Sequence, residues 1–204
     1  MPHQSAIILS AEFIGLQNLV DQLAPRDINP LMKSIYELID PPIRLNQAYL
    51  NRYTGDTFLA VFEKSKSDHS ASFRALNAAF EIKELLRSHW EEQHLKSPLD
   101  LKFGIAAGNI YIGEIPSENE KQKTVLGDGV KFANRICQFA SKNQIIIDKN
   151  TYEEVEASFD FQALEPIPME GGLHSIEIFE ALQKKKIKLQ IKEIPERQII
   201  SEMV

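Results

Sequence analysis

Cysteine is nearly absent from these 204 residues, Cys137 being the only one. A lone thiol excludes an intramolecular disulfide and every multi-cysteine metal site, and it fits a reducing interior, so the cytoplasm is the expected compartment. A basic excess is missing too. Twenty-three Lys and Arg stand against 29 Asp and Glu, a formal charge of -6, which gives no general field for nucleic acid and leaves any bound anion to a local cluster. Nowhere do about twenty apolar residues run together. The opening "MPHQSAIILSAEF" has neither a basic region nor an apolar run of leader length. Neither a membrane span nor a secretory leader is expected, and membrane attachment would need a partner. The five histidines show no metal-ligand spacing, and Ser/His/Asp or Cys/His catalysis has no local signature. Cys137, at a helical position, reads as core.

What the chain does contain is periodic structure. With 43% hydrophobic and 25% charged residues, it has the composition of one globular domain with a well-filled core. "SAIILS" reads as a strand ending at Ser10, "AEFIGL" as a Gly-containing passage, and "LQNLVDQL" as a helix through Leu16, Leu19, Val20 and Leu23. A second helix, bounded by prolines over 25–42, places Leu31, Ile35, Leu38 and Ile39 on one face. "LNRYTGDTFLAVF" reads as a hairpin turning at Gly55 and Asp56. A long helix over 67–93, capped by Ser67 or Asp68, buries Ala75, Ala79, Ile82 and Leu86.

"LDLKFGIAAG" and "NIYIGEI" are expected to form another hairpin, followed by the polar loop "PSENEKQK". Next, "TVLGDGVKFANRICQFASK" breaks at Gly127, Asp128 and Gly129 before a helix with Ala133, Ile136 and Ala140 on its inner face. "QIIID" is a buried strand and "KNTYEEVEA" a short helix. "FDFQALEPIP" and "HSIEIFEAL" close the domain as a strand pair around a Gly-Gly bend. The element order points to an α/β sandwich, a mixed sheet under helices. The domain spans 1–182, and 183–204 form a Lys-rich tail that reads as an edge strand or a frayed end.

Two constellations could carry chemistry. Glu12 follows the first strand and Asp56 occupies the hairpin turn. If those strands are neighbours, both carboxylates reach one sheet edge and could share Mg²⁺, which takes oxygen ligands and accepts substrate phosphates as the remainder. Read singly, Glu12 is equally a solvated acid near a helix start and Asp56 a turn residue. Gly15 adds a strand-to-helix passage whose backbone N–H groups could face a phosphate. Lys131 and Arg135, four apart, share a helix face where their repulsion would be relieved by a bound anion such as a triphosphate, or by Asp128.

Taken in order, "SAEFIGL", "NRYTGDTFLAVF", "FGIAAGNIYIGEI", "TVLGDGVKFANRI" and "QIIID" resemble the class III nucleotide cyclase catalytic domain, the adenylate and guanylate cyclase family, from about Ala6 to Ala181. The Gly104, Gly108 and Gly113 spacing and "VLGDGVKFANR", in place of the family's "VIGDAVNLAAR", are among the most specific parts. The resemblance implies a ferredoxin-like, palm-type α/β core and a head-to-tail dimer, with sites that combine carboxylates of one subunit with helix residues of the other. It also implies a reaction: attack of the 3′-hydroxyl of a nucleoside triphosphate on its α-phosphate, with two Mg²⁺ or Mn²⁺ ions, releasing diphosphate and a 3′,5′-cyclic nucleotide.

On this pattern Asp56 falls on the second metal aspartate, and Glu12 takes the place of the first with an extra methylene. Arg135 matches the arginine that stabilises transition-state charge, and Lys131 replaces an asparagine that orients the ribose. Arg52 and Thr124 stand at the base-selecting positions and leave the base unassigned between adenine, guanine and a pyrimidine. "MEGGL" puts Glu170 and Gly172 where the family has phosphate-binding lysines. Two readings therefore stand side by side: a nucleotide cyclase, and a degenerate cyclase-like module that acts in regulation or interaction.

Overall fold

The computed structural model of the chain describes residues 3–64, 67, 69–92, 99–116, 121–168 and 175–185. Among these, the main sheet has eight strands. Its centre is made by β1 (His3–Ile14) and β4 (Asp100–Pro116), antiparallel over the full length of β1 from His3 opposite Tyr111 to Ile14 opposite Asp100. On one side β1 pairs with β3 (Thr57–Glu63), which pairs with β2 (Tyr49–Thr54). On the other side β4 pairs in parallel with β6 (Ile145–Asp148), and the sheet continues through β10 (Ile178–Lys184) to β7 (Phe159–Ala163). The far half of β4 pairs with β5 (Lys121–Leu126), while β8 (Ile167–Pro168) and β9 (Ser175–Ile176) form a separate short ladder.

Three expectations about strands are corrected. The first strand does not stop at Ser10. Ala11, Glu12 and Phe13 keep register with Phe58, Thr57 and the β4 partners, so Glu12 lies inside β1 rather than after it. A carboxylate is tolerated there because a lysine, Lys102, stands directly opposite. Likewise "LDLKFGIAAG" and "NIYIGEI" form one 17-residue strand rather than a hairpin. Gly108 makes no turn. A Cβ at this position would lie 2.3 Å from the Gly129 Cα, so the glycine permits close approach of a helix. The strand that pairs back on β4 is β5, and it takes up Lys121, Gln122 and Lys123 of the expected polar loop, because each finds a partner in the far half of β4.

Five helices cover the sheet among the described residues. Gly15, with φ of 88°, turns the chain from β1 into α1 (Leu16–Val20), which is shorter than its periodicity suggests. α2 (Pro25–Leu45) continues through Pro41 and Pro42 because Ile39, Pro42 and Ile43 remain buried, which offsets the backbone hydrogen bonds that proline cannot donate. α3 (Ala71–Glu92) begins later than expected: the Ser70 hydroxyl accepts from the Phe73 N–H at 3.2 Å and the Ser70 carbonyl from the Arg74 N–H. Of the expected caps, Asp68 lies outside the described residues. α4 (Asp128–Phe139) and α5 (Lys149–Val155) complete the set, with the Asp148 side chain capping α5.

Strand alternation divides the sheet into two faces. Ile7, Leu9, Ala11 and Phe13 of β1, with Phe58, Phe62 and Phe103, pack against Ile35, Ile39 and Ile43 of α2 and the expected stripe of α3. Ala6 and Ile8, with Val61, Ala106 and Ile146, pack against Ala133 and Ile136 of α4. Among the described residues no helix is long and apolar enough to cross a membrane. The tail from residue 186 and the "MEGGL" segment lie outside the described residues.

Candidate active site

The residues singled out for metal and phosphate fall at two places, the sheet edge where β1 ends beside the β2–β3 turn, and α4. At the edge, Thr54 pairs with Thr57 across a two-residue turn, and Gly55 takes φ of 63°, the conformation a tight hairpin loop asks of its first position. Asp56 then stands exposed at the tip. Its carbonyl accepts a hydrogen bond of 2.7 Å from the Phe13 N–H, which ties the hairpin to the residue after Glu12. The β1–β3 register also pairs Glu12 with Thr57. The fold thus brings Glu12 and Asp56 to one corner of the sheet from positions 44 residues apart in sequence.

Their surroundings differ. The Glu12 carboxylate is 29% exposed and meets Lys102 Nζ at 2.9 Å, the lysine itself being only 15% exposed. Beneath this pair lies Cys137 of α4, whose thiol donates to the Lys102 carbonyl at 3.5 Å. Burial pushes that thiol up to about 11; the Glu12 charge adds to the rise, while the Ser10 hydroxyl and Lys102 oppose it. Sequence reasoning named Cys137 as core but missed Lys102 and Ser10. A signal was present: in "LDLKF", Leu101 and Phe103 are buried on one face, so alternation sends Lys102 to the face that already holds Glu12.

On α4, Gly127 with φ of 139° introduces the helix. Lys131 and Arg135 do share one face by spacing, but each has a local partner. Lys131 Nζ lies 3.8 Å from the Asp128 carboxylate in a largely exposed pair, which contributes little. The Arg135 guanidinium donates to the Pro168 carbonyl, through Nε at 2.8 Å and through Nη2, and also lies over the Phe139 ring. Arg135 therefore holds β8 immediately ahead of the "MEGGL" segment. Among the described residues the partners of Lys131 and Arg135 are thus Asp128, Pro168 and Phe139, away from Glu12 and Asp56.

The remaining positions are placed by backbone alone or by burial. Arg52 lies in β2 opposite Leu59, next to a register shift after Leu50, and its side chain is outside the described residues. Thr124, half-buried in β5, pairs with Gly113, and β2 and β5 approach one another. Gly15 closes β1, its carbonyl accepting from the Leu19 N–H. Glu170 and Gly172 lie outside the described residues.

The donor set at the corner suits a hard divalent ion. Two carboxylates supply only oxygen, and among the described residues no group of three or more His, Cys, Asp or Glu could form an all-protein cage. Mg²⁺ is commonly held in this way, by one or two carboxylates with substrate phosphates completing the shell. Glu12 and Asp56 are the residues that would hold it.

A mixed, mainly antiparallel sheet with helices on both faces is the architecture of a ferredoxin-like, palm-type α/β domain. The family model for the adenylate and guanylate cyclase catalytic domain matches residues 1–187, and the chain belongs to that family. Among its relatives is the terminal-differentiation-specific adenylate cyclase of Dictyostelium discoideum, 22% identical over 198 residues; the match covers 92% of this chain but only 9% of that protein. The fold is shared with an adenylyl cyclase from P. aeruginosa, with a TM-score of 0.81 at 16% identity, covering 91% of this chain and 97% of that one. It is shared equally with a guanylate cyclase domain from Catenaria anguillulae solved in complex with GTP, with a TM-score of 0.79 at 17% identity, covering 91% and 100%.

Proposed function

We propose that this domain is a nucleotide cyclase acting on a nucleoside triphosphate. In the reaction the 3′-oxygen forms a bond to the α-phosphorus, the bond from that phosphorus to the α,β-bridging oxygen breaks, diphosphate leaves, and the hydroxyl proton passes to solvent. Divalent ions, Mg²⁺ or Mn²⁺, supply Lewis acidity at the hydroxyl and charge neutralisation at the phosphates. Glu12 and Asp56 hold them. Arg135 stabilises charge on the phosphate undergoing attack, Lys131 contacts the phosphate chain, and Gly15 offers backbone N–H groups beside it. Arg52 and Thr124 contact the base, whose identity is open between adenine, guanine and a pyrimidine. The observation that carries this reading is the convergence of Glu12 and Asp56 on one corner through the Phe13–Asp56 bond.

The reading also includes a head-to-tail homodimer in the cytoplasm. Within one chain, Arg135 and Lys131 lie on α4 with partners of their own, and a second copy would bring an α4 to each carboxylate pair. Neither nucleic acid nor a membrane is part of this proposal. The alternative, a degenerate module retaining the dimer surface, is favoured by the ion pair that already occupies Glu12 and by Glu170 in "MEGGL". Incubation with each of the four nucleoside triphosphates and Mn²⁺ separates the two. Cyclic product and diphosphate from one or more of them support the cyclase, and none from any, with the dimer intact, selects the module. Asp56→Ala should lower product formation by about a hundredfold or more, since the side chain is exposed and its loss leaves the fold alone.

A further inference from the structure

Lys102 is the least expected residue at this corner. Lysine is almost never withdrawn from water unless paired, and here, only 15% exposed, it stands in the central strand between the buried Leu101 and Phe103, with Nζ 2.9 Å from one Glu12 oxygen. An apolar pair of similar size would serve a purely structural sheet position about as well, because a partly buried ion pair gains little over it. The pair also has an electrostatic consequence for the corner. An ammonium at that distance cancels much of the negative potential of Glu12 and repels a second cation there.

We propose that Lys102 is an internal counter-cation that keeps Glu12 from binding a free divalent ion and releases it only when the ion arrives with a triphosphate. The proposal rests on the cyclase reading. A triphosphate brings negative charge of its own, so Lys102 can turn from Glu12 to the phosphates while the divalent ion takes its place at the carboxylate. Exchange of one cation for another leaves the corner close to neutral at each stage. Lys102 is then a positioning residue that couples metal binding to nucleotide binding, a role distinct from those of Lys131 and Arg135 on α4.

Mn²⁺ binding followed by electron paramagnetic resonance tests this without turnover, with Mn²⁺ alone and with Mn²⁺ plus a 3′-deoxynucleoside triphosphate, which has no hydroxyl to cyclise. Lys102→Met should bind free Mn²⁺ on the order of tenfold more tightly than the native protein. The further tightening given by nucleotide should shrink correspondingly. Lys102→Arg keeps the charge and should behave as the native chain does. Lys102→Gln retains a hydrogen bond to Glu12 without the charge; it should match Lys102→Met and serves if that variant does not fold. Free Mn²⁺ binding no tighter in either neutral variant overturns the inference, and it does so alone if the native protein still forms cyclic product. Mn²⁺ binding that is indifferent to both Glu12→Ala and Asp56→Ala overturns the metal assignment, and the inference with it.

Discussion

The two faces of the central sheet are built from different materials. The face toward α2, α3 and α5 buries large rings, with Phe13, Phe58, Phe62, Phe103 and Phe159 all in its core. The face toward α4 has no buried aromatic side chain among the described residues, and its core is made of Ala, Ile, Leu and Val. Rings hold α2 and α3 away from the strands, whereas glycines let α4 settle onto them. Ser10, Glu12 and Lys102 share this second face, at the end where its apolar cover gives out. The thick face supplies most of the burial that stabilises the fold, and the thin face carries a closely seated helix whose Cys137 reaches the strand that holds the polar corner.

Substitutions on each face can break this contrast. The largest effect is expected from Phe103→Ala on the thick face. Phe103 is fully buried, and loss of its ring should lower unfolding stability by about 3–5 kcal/mol. A urea midpoint that falls without a change in slope would show it. Gly104→Ala, one residue along and on the opposite face, removes nothing and still should destabilise. Its Cβ would lie 2.2 Å from the Cys137 N and 2.3 Å from the Ala133 carbonyl oxygen, backbone atoms that yield only if α4 lifts. A loss of about 1–3 kcal/mol is expected. Product formation per folded molecule should fall as well, because Arg135 moves with the helix. Native stability in Gly104→Ala would mean that α4 lifts from β4 at no cost, and the close seating of this helix would then contribute nothing to the fold.

Much of this arrangement was legible in the sequence, and the parts that were not share a physical cause. The order of elements, the Gly55–Asp56 hairpin, the α3 stripe and the inner face of α4 all follow from local periodicity and turn chemistry. The run of β1 past Ser10 and the continuity of β4 did not, because each depends on a partner far away in sequence. Glu12 is tolerated in a strand because Lys102 faces it, and Gly108 continues β4 because it pairs with Ala6 while Gly129 approaches its bare Cα. At the site, the convergence of Glu12 and Asp56 requires their strands to be neighbours, and β1 and β3 are neighbours. The engagement of Arg135 with the Pro168 carbonyl was not legible, since a backbone acceptor has no sequence signature.

The smallest effect concerns the thiol beneath the polar corner. Cys137 is pushed up to about 11, mainly by burial under α4. The folded chain thus favours the neutral thiol. The stability this lends is complete below the ordinary thiol value and is lost as pH rises through about 11. Unfolding midpoints at pH 8 and pH 10.5 should therefore separate further for the native chain than for Cys137→Ala, by about 1–2 kcal/mol. Half-buried tyrosines such as Tyr49, pushed up to about 12 by burial and by Glu63, titrate in both proteins and cancel in the difference. At pH 8 the native thiol should also react with a disulfide reagent far more slowly than the unfolded chain does. Reaction at the unfolded rate would show that α4 leaves the sheet readily, and the thin face would then be an open surface rather than a packed one.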